Sequence, residues 1–264
     1  MLLCQISDLH VMPKGRLAYE RVDTAALLRR AIVQLNRLDP QPDMVLITGD
    51  LADRGEPDAY AHLREILADL RAPFLVIRGN HDHIDAFRTA FADHAYLPAT
   101  GESVQYAIDT LPMRIVAVDS VVQGQVRGGL SDARLAWLDR TLAARPQAPT
   151  LVMMHHAPFV WDLAHYDAIA MDGIDAFEQV VARHPQVERI VCGHVHRSTQ
   201  IRFGGTLLSS CPSTAHQIAL DLRANGVDAF NLEPPGYQLH RWTGRVLFTH
   251  TLPIGDFEGP FRFP

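Results

Sequence analysis

The chain is punctuated by short unbroken apolar runs, and most of them stop at a cluster of chemically active side chains. Leu2–Ile6 ends at Ser7-Asp8-Leu9-His10, Met44–Ile47 at Thr48-Gly49-Asp50, and Phe74–Ile77 at Arg78-Gly79-Asn80-His81-Asp82. Further on, Ile115–Val118 ends at Asp119-Ser120, Leu151–Met154 at His155-His156, and Ile190–Cys192 at Gly193-His194-Val195-His196. Short runs without alternation predict strands buried on both faces. Between them the period changes. Asp23–Leu38 carries Ala26, Leu27, Ile32, Val33 and Leu35 near helical spacing. Pro57–Leu70 sets a proline at a first helical turn and aligns Leu63, Ile66, Leu67 and Leu70 on one stripe. Ser131–Ala144 opens on a capping serine, and Asp175–Ala182 is a fourth helical segment. Strands alternating with helices predict the α/β class.

From Ser198 onward the texture changes. Ile201–Phe203, Thr206–Leu208 and Val246–Phe248 read as strands joined by turns such as Gly204-Gly205, and Asn225–Gly236 reads as a loop. There is no internal repeat and no Gly/Pro/Ser linker. The expected organisation is therefore a core over residues 1–200, with residues 201–264 completing a sheet of the same domain and offering a surface for substrate or another subunit.

Composition narrows the chemistry. The 264 residues bear 24 Lys+Arg against 30 Asp+Glu, a net charge of -6 with histidine neutral, and Lys14 is the sole lysine. That balance speaks against a broad nucleic-acid footprint and leaves room for a small anionic substrate. No apolar stretch is long enough to span a bilayer. Cys4, Cys192 and Cys211 are an odd count without C-x-x-C spacing, which reads as three small buried residues in a reducing, cytoplasmic setting. A chain of this length needs no metal to fold, so a metal site would serve function.

The strand ends supply such a site. Asp8 and Asp50 offer anionic oxygens, Asn80 a neutral oxygen, and His10, His155, His194 and His196 imidazole nitrogens. A mixed N/O set without thiolate suits Zn, Fe, Mn or Co. Seven donors exceed one tetrahedral ion and suit two ions sharing a carboxylate, which can clamp a phosphoryl group and hold a hydroxide between them. In Asp8-x-His10 and His194-x-His196 an extended chain would point alternate side chains to one side.

These blocks, in this order across residues 1–200, resemble the calcineurin-like metallophosphoesterase superfamily. The likeness is greatest to its class III cyclic-nucleotide and glycerophosphodiester phosphodiesterases, and Asp119-Ser120 and Ser213–Gln217 extend it. The resemblance implies a four-layer α/β/β/α sandwich of two mixed sheets flanked by helices. It implies one metal on Asp8, His10 and His196, a second on Asn80, His155 and His194, and Asp50 as bridge. It implies that a metal-bridging hydroxide attacks phosphorus in a small phosphodiester, with His81 as the non-ligand histidine that contacts phosphate and protonates the leaving oxygen. His216 is expected either to reach the substrate phosphate or to be a polar residue of the C-terminal sheet. Asp53 stands where some relatives carry a substrate-touching asparagine, and relatives often form dimers or larger homo-oligomers through the C-terminal region.

Two competing readings use the same residues: a phosphomonoesterase or nuclease on the same core, and a metal-binding scaffold without activity. His156 is expected beside the ligands rather than among them. His62, His94, His165, His184, His240 and His250 are expected at the surface or in packing, Asp82 as an acid behind the ligands or in a turn. Neither a G-x-G-x-x-G nor a Walker sequence is present.

Overall fold

The computed structural model describes residues 1–161, 164–223 and 225–263, with residues 164 and 165 described by backbone alone; the side chain of His165 thus lies outside the described residues. The first half of the chain alternates strands and helices: β1 (Leu2–Ile6), α1 (Thr24–Leu35), β2 (Met44–Thr48), α2 (Pro57–Leu67), β3 (Phe74–Ile77), α3 (Ile84–Ala90), β4 (Tyr106–Ile108), β5 (Arg114–Ala117) and α4 (Asp132–Ala143). Then come β6 (Thr150–Met153), α5 (Ala164–Asp167), α6 (Ile174–Ala182), β7 (Val187–Cys192), β8 (Gln200–Phe203), β9 (Thr206–Ser210), β10 (Gln217–Ile218), β11 (Phe230–Asn231), β12 (Gly236–Trp242) and β13 (Leu247–Pro253). The helix starts follow local chemistry. Asp23 caps α1 by accepting from the Ala26 N–H at 2.9 Å, and Pro57 opens α2, where a missing N–H costs nothing.

Two mixed sheets result. One runs β13-β12-β1-β2-β3 and the other β4-β5-β6-β7-β9-β8, with β10-β11 as a separate ribbon. In each, the central strands are parallel and the late strands β12 and β8 add antiparallel neighbours. Successive side chains of β5 show the layering. Ile115 and Ala117 face the core shared with the first sheet, whereas Val116 joins the core beneath α4 and α6. On the first sheet's other side, Leu28 and Ile32 of α1 and Leu63 of α2 complete the larger core. The order is helix, sheet, sheet, helix, as the resemblance implied. Cys4, Cys192 and Cys211 are buried free thiols.

The elements absent from the sequence reading have physical reasons. α3 has one buried side chain, Phe87, too little for a period to emerge. β12 carries Gln238 and His240 at buried positions, where they bond Ser210 O at 2.9 Å and Gln5 Oε1 at 3.1 Å. Its polar residues face inward, so the hydropathy pattern hides the strand. Part of the expected Asn225–Gly236 loop is β11.

The sheets are locked together near the strand ends. Arg78 after β3 donates from Nε to Asp119 Oδ2 at 2.9 Å, with side chains 1 % and 0 % exposed, and Asp119 also accepts from Val104 N and Val121 N. Removing one partner of a buried pair strands the other charge. Arg78→Met is therefore expected to lower unfolding stability by about 3–5 kcal/mol in urea titration; an unchanged midpoint would show that the pair does not brace the sandwich.

Candidate metal centre

The parallel strands β1, β2, β3, β6 and β7 deliver their C-terminal ends to one edge of the sandwich, and the loops there are stitched together. Asp8 N donates to Gly49 O, His10 N to Asp50 O, and Gly193 N to His155 O, at 2.9–3.1 Å. Close approach requires glycine at two points. A Cβ on Gly79 would lie 2.1 Å from Asp50 Oδ1, and one on Gly193 would lie 2.0 Å from Ser7 Oγ and 2.8 Å from Asp8 Oδ2.

Here the local geometry departs from the expectation of extended chain. Asp8, His10, Asp50, His194 and His196 all have left-handed φ, between 45° and 70°. Side chains of Asp8-x-His10 and His194-x-His196 converge because the backbone coils after each strand, not because it stays extended. A non-glycine residue pays conformational energy there, and such outliers concentrate at functional sites.

All seven donors meet. Asp8, His10, Asp50 and His196 offer ligand atoms that lie within 4.8 Å of one another. Asp50 Oδ2 is the hub, 3.7 Å from His10 Nε2, 3.4 Å from His155 Nε2 and 4.0 Å from His81 Nε2. Asn80 Oδ1 lies 3.1 Å from His155 Nε2, and His194 groups with His155 and His156.

The outer ring nitrogens explain the aim of the inner ones. His155 Nδ1 meets Thr48 O at 2.8 Å and His196 Nδ1 meets His216 O at 2.8 Å. A carbonyl only accepts, so each Nδ1 carries the proton and each Nε2 lone pair faces the cluster. His10 is turned the same way by Asp53, whose Oδ1 lies 3.1 Å from its Nδ1. His10 Nε2 and His196 Nε2 then face each other at 3.1 Å. Converging lone pairs beside two buried carboxylates are what a cation would satisfy.

Electrostatics treats the imidazoles differently: against the pull of burial, the carboxylates raise His10 and His155, whereas His194 and His196 are lowered. Burial, aided by Asp50, lifts Asp8 to about 6. Burial also works against ionised Asp50, but His155, His81 and His10 outweigh it and hold that carboxyl well below its usual range. His155 is raised in turn despite its burial, through Asp50. Burial and neighbouring imidazoles push His194 and His196 down to about 3, leaving both neutral and able to donate a lone pair at neutral pH.

The remaining candidates take distinct places. His81 Nδ1 contacts Asp53 O at 2.5 Å, which leaves Nε2 pointed at the centre from a side chain one-third exposed. Asp53 is spent on His10 rather than directed into the cavity. His216 is buried beside His10 and His196, its Nδ1 without a hydrogen-bond partner. His156 is held at both ring nitrogens, by Ser120 Oγ at 2.9 Å and Val126 O at 3.1 Å. Asp82 accepts from Leu51, Ala52 and Gly79 N–H groups and from the Tyr60 hydroxyl, bracing the loops behind the site. His62 and His240 are buried packing residues, and His184 pairs with Asp139.

A cavity of about 380 Å³ opens over this cluster. Its lining also includes Tyr19, Val126, Tyr166, Ile169, Ile218, Asp228 and Phe230, none of which the sequence singles out. These residues sit in loops, in the four-residue helix α5 and in the two-residue strands β10 and β11, where no period marks them.

The profile of the calcineurin-like phosphoesterase family matches residues 1–198. The chain belongs to that family, whose members use a dinuclear metal centre. It is 37% identical over 265 residues to the "Probable glycerophosphodiester phosphodiesterase GpdQ" of Arcobacter nitrofigilis, covering 100% of this chain and 97% of that one. It is 31% identical to the 3',5'-cyclic adenosine monophosphate phosphodiesterase CpdA of Escherichia coli over 219 residues, covering 81% and 76%. Its fold resembles that of a dimetal phosphatase from Danio rerio, with a TM-score of 0.61 at 15% identity, covering 96% of this chain and 99% of the other.

A cation that binds only the folded chain raises its stability, by about 2.7 kcal/mol at one hundred times the dissociation constant. Metal-stripped protein is expected to melt higher when Mn, Zn or Co is restored, and Gly193→Ala, which crowds Asp8, is expected to lose most of that gain. Equal gains in both proteins, followed by differential scanning fluorimetry, would contradict the placement of Asp8 in the site.

Proposed function

We propose that the chain is a dinuclear metal-dependent phosphodiesterase acting on small diesters. Asp8, His10 and His196 would hold one ion, Asn80, His155 and His194 the other, and Asp50 would be shared by both. Either of Fe or Mn, and equally Zn or Co, suits these donors. When bound, the ions supply Lewis-acid activation of water and neutralise charge on the phosphoryl oxygens. The protein's own groups do the rest. Thr48 O, His216 O and Asp53 fix three imidazoles, Asp50 joins the two halves of the centre, and His81, as the imidazolium, would give its Nε2 proton to the departing oxygen.

One observation carries the choice of a diester. The described residues lining the cavity include no Lys or Arg; beyond the centre it presents His81, His216, the Asp228 carboxylate and otherwise aromatic or apolar walls. A diester carries a single negative charge that the centre can absorb, whereas a dianionic monoester would want further cationic partners. The names of the two relatives point the same way.

The metal-restored protein is expected to show a higher kcat/KM for bis(p-nitrophenyl) phosphate than for p-nitrophenyl phosphate; the reverse order would replace the diesterase reading with a monoesterase. General acid catalysis contributes about 10²–10⁴-fold, and most where the leaving group is basic. His81→Ala should therefore slow an alkyl-leaving diester about a hundredfold more than a nitrophenolate-leaving one, in parallel steady-state assays. Equal losses would remove His81 from the acid role.

A further inference from the structure

Tyr19 is held in an unfavourable backbone conformation that lifts its ring into the cavity. It sits at the tip of a tight turn closed by Ala18 N to Val22 O and Val22 N to Ala18 O, both at 2.9 Å. Tyr19 and Glu20 have φ of 50° and 55°, two successive left-handed residues where glycine or asparagine would be cheaper. The base of the turn is anchored, with Met12, Ala18 and Val22 forming a small separate core against Phe230. The strain is thus over-determined by packing, and what it presents is an aromatic side chain 51 % exposed.

That ring is placed two rings from the metal-ligand candidates. It packs edge-on against His216 at 5.1 Å between centroids and lies tilted at 33° to Phe230 at 4.9 Å. His216 in turn lies 4.6 Å from His196. Burial and the nearby Asp53, Asp50 and Asp228 carboxylates raise the Tyr19 hydroxyl to about 12, so it stays protonated. Around it, Val126, Ile169, Ile218 and Ala229 continue the wall, with the Tyr166 hydroxyl and the Asp228 carboxylate, bonded to each other at 3.0 Å, at its margin. A flat ring laid on Tyr19 and these apolar side chains would bury its faces and keep its edge wet.

We propose that Tyr19 is a specificity-determining residue for this centre: its ring, backed by Phe230, stacks on a planar aromatic substituent of the diester, a nucleobase or an aryl group. The inference rests on the diesterase reading above. It is tested by measuring kcat/KM for 3',5'-cyclic AMP, bis(p-nitrophenyl) phosphate and glycerophosphocholine in wild type, Tyr19→Gly and Tyr19→Phe. Glycine accepts the left-handed backbone, so the first variant keeps the turn, with its melting temperature as the check.

Base stacking on an aromatic side chain sets the scale, and the ratio of aromatic to aliphatic kcat/KM is expected to fall about tenfold in Tyr19→Gly, mainly through KM. Tyr19→Phe is expected to retain the wild-type ratio. An unchanged ratio in Tyr19→Gly, or an equal fall in Tyr19→Phe, would overturn the stacking role while the wild-type diester turnover left the diesterase reading standing. A wild type inactive on all three diesters would instead overturn that reading, and this inference with it.

Discussion

The structure depends on bringing two carboxylates, four imidazoles and one amide oxygen together at the mouth of one cavity. Asp8 and Asp50 are buried, as are His10, His155 and His196. Like charges and like lone pairs at 3–4 Å repel in a low-dielectric interior, so the cluster is costly until a cation joins it. Around it the chain is arranged to impose that proximity. Strand ends from two sheets meet at one edge, and five non-glycine residues adopt left-handed backbone. The glycines at 79 and 193 let side chains approach where a Cβ would collide. The hydrophobic cores on either side of each sheet supply the free energy that holds this arrangement.

A division of labour runs through the surrounding shell. Thr48 O and His216 O, both backbone groups, orient imidazoles, and Asp53 does the same for His10 with a carboxylate. Asp82 and Asp119 lie just beyond the strand ends but spend their oxygens on N–H groups, a tyrosine hydroxyl and Arg78. Acids of similar sequence context thus act differently according to what surrounds them: Asp50 faces imidazoles, whereas Asp82 faces backbone donors.

Much of this was legible in the sequence because buried parallel strands are unbroken apolar runs, and polar residues at their ends have little reason to cluster unless they act together. The runs beginning at Leu2, Met44 and Phe74 each became a strand, and the donors beyond them met. The manner of their meeting was not legible. Alternation on an extended chain suggested the right convergence for the wrong reason, since hydropathy carries no record of a left-handed turn. β12 escaped because its inward residues, Gln238 and His240, are polar and satisfied by partners far away in sequence. Tyr19 escaped for a related reason. Its significance lies in backbone strain and in rings contributed by residues some two hundred positions later.

The most direct test of the account is anomalous scattering from crystals of metal-loaded protein. The account predicts two peaks on either side of the Asp50 carboxylate, one within bonding reach of Asp8, His10 and His196 and the other of Asn80, His155 and His194. A single peak away from Asp50, or none at full metal loading, would contradict it.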